Sequence, residues 1–155
     1  MAQLHISLLG TPQIQLNNAP IEFERRKAMA LFAYLVITRQ VHNREALASF
    51  FFPDGEPSRA LAYLRNTLWT INKQLGDGWL EIERDTVRAI IHNGLWVDVL
   101  AFEGYEAQTD VQAWQSAVAL YRDDFMRGFS LPDSDAFDEW QFFQSQSLRQ
   151  RLGAV

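Results

Sequence analysis

The sequence predicts an α+β fold, and three changes of hydrophobic period carry that expectation. Apolar and polar residues alternate before residue 24, helical spacing runs from about Arg25 to Gly76, and alternation returns from Trp79 to Ile91. From Val97 onward the pattern is helical throughout. In chain order this gives a small antiparallel sheet, three helices, a β-hairpin and an all-α segment.

Leu4 to Leu9 and Gln13 to Leu16 read as two strands, broken by the turn Gly10-Thr11-Pro12. Asn17-Asn18 makes a second turn, after which Ile21 and Phe23 start a third strand. Ala28, Leu31, Phe32 and Leu35 then fall on one helical face between Arg25 and about Arg39, a stretch without Gly or Pro. Val41 and His42 form a short extended link. Asn43 is a suitable cap for a second helix that turns Leu47, Phe50 and Phe51 inward, and Pro53-Asp54-Gly55-Glu56-Pro57 must end it. Pro57 suits the first turn of a third helix, where its missing N–H costs nothing, and Gly76 suits the position after its end. Between them Leu61, Leu64, Leu68, Ile71 and Leu75 make a narrow apolar stripe. Trp79 to Glu83 and Val87 to Ile91, joined at Arg84-Asp85-Thr86, read as a hairpin. Three helices with the third longest, followed by a hairpin, are the layout of a winged helix, whose third helix enters the major groove with the hairpin beside it.

In the helical segment the apolar residues are Phe102 and Tyr105, then Trp114, Ala117, Val118 and Tyr121, then Phe137, Trp140, Phe143 and Leu148. The last stripe is still running near Val155, so the expectation is a piece of a longer protein rather than a face that pairs with another chain.

Composition narrows the function. The 155 residues suffice for one ordinary domain and part of another. No window of about 18 apolar residues occurs and the N-terminus lacks a signal-peptide layout, so a cytoplasmic location without membrane contact is expected. The chain has no cysteine, hence no disulfide, thiolate zinc site or cysteine nucleophile. Its net charge of −5 disfavours a polyanion as partner until it is resolved along the chain. Residues 1–96 hold ten Lys or Arg against nine Asp or Glu, whereas residues 97–155 hold four against ten. Any contact with DNA therefore belongs to the first segment.

Enzymatic constellations find no support. His5, His42 and His92 lie far apart, with no metal-ligand spacing. The acidic run Asp133 to Glu139 has Phe137 where a calcium loop needs an oxygen ligand, and reads as helix capping and surface charge. Gly128-Phe129-Ser130-Leu131-Pro132 lacks the last Gly of a nucleophile elbow, and there is no phosphate-binding glycine loop. Neither an enzyme, a metal nor a cofactor is implied.

With the apolar stripe of the third helix inward, the opposite face runs through Arg59, Ala62, Asn66, Thr70 and Lys73, flanked by Arg65 and Trp69. Arg59, Asn66 and Thr70 have side chains suited to base edges. Arg65 and Lys73 are suited to phosphates, as are Arg44 at the start of the second helix and Arg84 and Arg88 in the hairpin. The same cations also read as an ordinary solvated face. Trp69 is expected to pack against the sheet or the helical segment rather than to touch DNA.

These pieces resemble a known family. Leu8-Leu9-Gly10, Arg26-Lys27 with Ala33-Tyr34-Leu35, Arg44-Glu45-Ala46-Leu47 and Phe52-Pro53-Asp54 come first. Ser58-Arg59-Ala60, Leu64-Arg65, Leu75-Gly76, Arg84-Asp85-Thr86-Val87 and Val97-Asp98-Val99 with Phe102 follow. Ala119-Leu120-Tyr121-Arg122 with Asp124-Phe125, Gly128-Phe129 and Phe137-Asp138-Glu139-Trp140 complete the series. In this order they resemble the SARP family of bacterial transcriptional activators. The resemblance implies an OmpR-like winged helix with an N-terminal antiparallel sheet over residues 1–96, its recognition helix at about 57–75 and its wing at about 79–92. It implies, over residues 97–155, the N-terminal part of a helical bacterial transcriptional activator domain with tetratricopeptide-like helices. It further implies a cytoplasmic activator that binds repeated sites in double-stranded DNA, as a homodimer, and recruits RNA polymerase. The chain departs from the family where Leu61, Thr70 and Asn72 stand at places in which Arg is frequent. That thin basic face and the acidic balance keep a second reading open: a protein-interaction or dimerisation module of winged-helix fold that has lost DNA binding.

Overall fold

In the computed structural model, which describes residues 2–154, the alternating residues at the start of the chain form three short strands. These are β1 (Leu4–Ser7), β2 (Gln13–Leu16) and β3 (Ala19–Ile21). β1 and β2 pair antiparallel with Leu4 opposite Leu16 and Ile6 opposite Ile14, so the apolar residues share one face. Asn17 and Asn18 both take positive φ, the conformation of a two-residue hairpin turn between β2 and β3. The sheet differs from expectation in one respect. A strand from much later in the chain, β7 (Leu95–Val97), lies parallel to β1 on its free edge, giving the order β3-β2-β1-β7. The sheet is therefore mixed rather than antiparallel.

The remaining elements follow the sequence closely. They are α1 (Arg26–Thr38), β4 (His42–Asn43), α2 (Arg44–Phe51), α3 (Pro57–Leu75), β5 (Leu80–Ile82), β6 (Thr86–Ala89), α4 (Asp98–Glu106), α5 (Val111–Leu120) and α6 (Asp135–Ala154). The result is a mixed α+β fold with an N-terminal sheet and, among the described residues, six helices. They gather into two compact units.

One unit contains the residues up to Glu22, Asn93–Ser130 and the residues from Glu139 on. Leu4, Ile6, Leu8, Leu9, Val97 and Phe102 are buried in it. Asp98, also buried, fixes α4 to the strand-end of β1: its carboxylate accepts hydrogen bonds from Leu8 and Leu9 N–H, both at 2.8 Å, and from Val99 N–H at 2.9 Å. Gly10 has φ +129, a conformation that L side chains rarely adopt, so the backbone favours glycine, and a Cβ there would press to 3.2 Å on the Arg122 guanidinium. Asp110 caps α5 by accepting from Gln112 N–H at 2.8 Å. α5 turns the small Ala113 and Ala117 inward and leaves Val118 exposed, while Phe143 on α6 is exposed too. Of the stripe expected from Trp114 to Tyr121, Ala117 is buried, Trp114 and Tyr121 are half-buried and only Val118 faces out. Arg151 grips Glu106, with Nε 2.9 Å from Oε1, and lies 5.8 Å from the Phe102 ring.

Tyr121 ends beyond α5 and donates to Asp124 Oδ1 at 2.9 Å, an oxygen that Arg149 Nε also reaches at 3.2 Å. Burial first, then the bond to Asp124 and its charge, push the Tyr121 hydroxyl up to about 12, with Arg149 opposing. The folded chain holds this proton more tightly than the unfolded chain. Its contribution to stability is therefore complete below the ordinary value of 10.0 and is lost as pH rises through about 12. Burial raises Tyr34 as well, so a phenolate absorbance titration should show two of the four tyrosines titrating late, and Tyr121→Phe should remove the step at about 12. Persistence of that step in Tyr121→Phe would assign it elsewhere.

The second unit contains Phe23–His92 and Leu131–Asp138. Ala28, Leu31, Phe32 and Leu35 of α1 are buried as their spacing requires, with Leu47 and Phe51 of α2 and Leu64, Leu68, Ile71 and Leu75 of α3. β4 pairs with β6, placing His42 opposite Val87, and β5 pairs with β6 to complete a three-stranded sheet in the order β4-β6-β5. Asn43 Oδ1 accepts Ala46 N–H at 3.0 Å and caps α2. The acidic run proves structural, in keeping with its reading as cap and surface charge. Ser134 caps α6 by accepting from Phe137 N–H at 3.3 Å and donates to the Phe50 carbonyl at 2.7 Å. Asp133 pairs with Lys27 at 3.1 Å, and that ammonium also donates to the Phe51 carbonyl and lies 4.2 Å from the Phe52 ring centroid.

Candidate nucleic-acid interface

The placement of α3 determines what the second unit can present. Pro57 opens the helix, Gly76 leaves it at φ +85, and Lys73 in the last turn complements the helix dipole. Trp79 secures the C-terminal end: its indole N–H donates to the Leu75 carbonyl at 3.1 Å, and its ring stacks on His92 at 4.8 Å. Helix α3 carries three cations and no carboxylate. All three cations, Arg59, Arg65 and Lys73, are exposed, as is Asn66.

The exposed face is turned slightly from the one drawn on the sequence. Thr70 is 8% exposed, and its hydroxyl donates to the Asn66 carbonyl at 3.0 Å. Thr67 does the same with Tyr63 at 2.9 Å. These back-bonds satisfy the hydroxyls within the helix, so threonine is tolerated on a buried flank. Trp69 takes the outward place, with 62% of its surface exposed and the Lys73 ammonium 5.0 Å from its ring. The expectation that it packs inward is corrected. The outward series is thus Arg59, Ala62, Asn66, Trp69 and Lys73, spaced three, four, three and four. That spacing was available from the sequence. The size and apolarity of the indole argued the other way.

Three of the basic residues converge. Arg44, Arg65 and Arg84 line one hollow of about 340 Å³ with Asn43, Glu45, Leu61 and Asp85. Arg44 is held there by its backbone N–H on the Asp85 carbonyl at 2.9 Å and its guanidinium on the Glu83 carbonyl at 3.1 Å. The guanidinium's acceptor is a neutral carbonyl, and the carboxylate-bearing Glu45 and Asp85 line the same hollow. Arg44 stands at the N-terminus of α2, where a cation gains nothing from the helix dipole.

The other basic residues lie apart from this group. Arg59 lines a separate hollow of about 190 Å³ with Lys27, Phe52, Asp54, Tyr63 and Asp133. Arg88 faces Glu81 directly across the hairpin and binds it at 2.7 Å. The hydrogen bond from Arg88, with its charge, holds the Glu81 carboxyl below the ordinary carboxylate range. The pair therefore stays ionised and self-neutralised near neutral pH. Among the described residues no group of three or more His, Asp or Glu is placed to hold a metal ion. No helix among them is long and apolar enough to cross a membrane.

No family model matches this chain, and no curated protein matches it by sequence. A solved structure does resemble it: Mycobacterium tuberculosis EmbR, in complex with a low-affinity phosphopeptide, superimposes with a TM-score of 0.71 over 97% of this chain at 20% identity. The match spans 44% of that EmbR chain. At this identity the likeness shows a shared fold.

Proposed function

We propose that the chain is a sequence-specific DNA-binding transcriptional regulator, an activator, acting on double-stranded DNA in the cytoplasm. In this reading residues 1–96 are the DNA-binding part, a winged helix with α3 in the major groove and the β5–β6 hairpin as the wing. Residues 97–155 begin a helical activator domain that supports a homodimer on repeated sites and the approach of RNA polymerase. The observation that carries the reading is the outward face of α3, which presents cations and amide with no acid on the helix, beside a hollow lined by Arg44, Arg65 and Arg84. The fold shared with EmbR supports it.

Within this reading the side chains divide by reach and charge. Asn66 suits adenine N6 and N7, and Arg59 suits guanine O6 and N7. Arg44, Arg65, Arg84 and Lys73 hold phosphates and set the register. Arg88, engaged with Glu81, and Thr70, bonded within α3, contribute less to contact with DNA.

Selection of duplexes from a random pool with the full chain, followed by titration of the enriched duplex at two salt concentrations, tests the proposal. The expected result is a repeated motif bound with steep salt dependence. A pool without enrichment at low salt would reject it. The exposed Phe142 and Phe143 of α6 favour the second reading, a docking or dimerisation module, and that outcome would transfer support to it.

A further inference from the structure

We infer that Trp69 is a base reader, packing its indole on the C5-methyl group of a thymine in the major groove; this rests on the DNA-binding reading above. Trp69 stands on the outward series of α3, three residues from Asn66 and four from both Arg65 and Lys73. It is the most exposed indole on a helix bearing cations and no acid, so the surface around it is complementary to a polyanion. The Lys73 ammonium lies over its ring, so a phosphate drawn to Lys73 brings the duplex to the indole.

Reach decides what the indole would meet. On the face that enters the groove, an indole extends further from the helix axis than the amide of Asn66 and arrives at the bases first. The floor of the major groove offers one apolar feature, the thymine methyl group, so an apolar side chain there discriminates thymine from the other bases. Burial of an otherwise exposed indole against that methyl group adds a favourable term that phosphate contacts do not provide.

The test replaces thymine by deoxyuridine, one position at a time, in the duplex enriched by the full chain. This change deletes the methyl group and leaves the hydrogen-bonding edge unchanged. One replacement should weaken wild-type binding about fivefold, within the range of single base contacts. The same replacement should leave Trp69→Ala unaffected, while Arg65→Ala should retain the penalty and show only weaker binding with a shallower salt dependence. Thermal melts establish that Trp69→Ala is folded, which the exposure of the side chain leads us to expect. If the wild-type chain binds the duplex tightly and no deoxyuridine matters, or if the penalty survives in Trp69→Ala, the inference is wrong and the DNA-binding reading stands. If Trp69→Ala abolishes self-association in sedimentation while leaving the deoxyuridine profile intact, the indole is a protein contact and the inference is again overturned. If no duplex is bound, both fail together.

Discussion

Asp98→Ala is expected to remove most of the stability of the unit that contains the N-terminal sheet. The carboxylate is 2% exposed and accepts three backbone N–H groups, those of Leu8, Leu9 and Val99. Truncation leaves all three donors without their acceptor at a buried position. Each such donor costs about 1–3 kcal/mol, against a total stability of about 5–15 kcal/mol for a typical domain. Burial pushes the Asp98 carboxyl up from its ordinary value, while the three N–H groups and Arg122 pull it down. The site thus holds its carboxylate at a cost and depends on those donors. Asp98→Asn should recover only part of the loss, because its amide offers one acceptor oxygen and sets an NH2 group against a backbone donor. Urea unfolding followed by circular dichroism, with hydrogen exchange at the Leu8 and Leu9 amides, measures the effect. A loss under about 1 kcal/mol for Asp98→Ala would show that the three bonds contribute little net stability.

The contrast between Asp98 and α3 shows which features the sequence displayed. Local signals were legible: Pro57 and Gly76 bound α3 where expected, Asn43 caps α2, and the alternation on both sides of Arg84-Asp85-Thr86 forms the hairpin. Long-range ones were not. Strand β7 is three residues long, and its partner β1 lies some 90 residues earlier, so no neighbouring turn announces the pairing. Asp98 entered only as part of the motif Val97-Asp98-Val99, and nothing local reveals that its acceptors face Leu8 and Leu9. Lys27 and Asp133 meet across the fold for the same reason. Thr70 lies opposite the leucine stripe by spacing, but the buried face of α3 also takes in Ala60 and Thr67 and leaves Leu61 half-buried, which turns Thr70 inward and Trp69 toward solvent. Charge alone marks Arg88 as a phosphate ligand, whereas the register of the hairpin sets Glu81 directly opposite.

Replacing Arg44, Arg65 and Arg84 together by alanine is expected to have the largest effect on DNA binding. If each contacts one phosphate, the slope of log K against log salt should flatten by roughly 0.9 per residue and roughly 2.7 in all. Charge alone does not explain the choice of these three, since Arg88 carries the same charge in the same hairpin. Arg88 is bonded to Glu81, so Arg88→Ala removes a cation already neutralised and leaves a carboxylate behind. Its slope should change by much less than that of Arg84→Ala. Arg44 also braces the hairpin turn through the Glu83 carbonyl, so its removal affects position as well as charge. The double variant Arg65→Ala with Arg84→Ala separates the two effects, because among the described residues no hydrogen bond or ion pair ties either side chain to the fold in the way Arg44 is tied. A slope reduced by roughly 1.8 in the double variant, with an unchanged melting curve, would assign the hollow to phosphate binding. Equal slopes for Arg84→Ala and Arg88→Ala would instead mean that the hairpin contributes only diffuse charge, and that α3 alone engages the duplex.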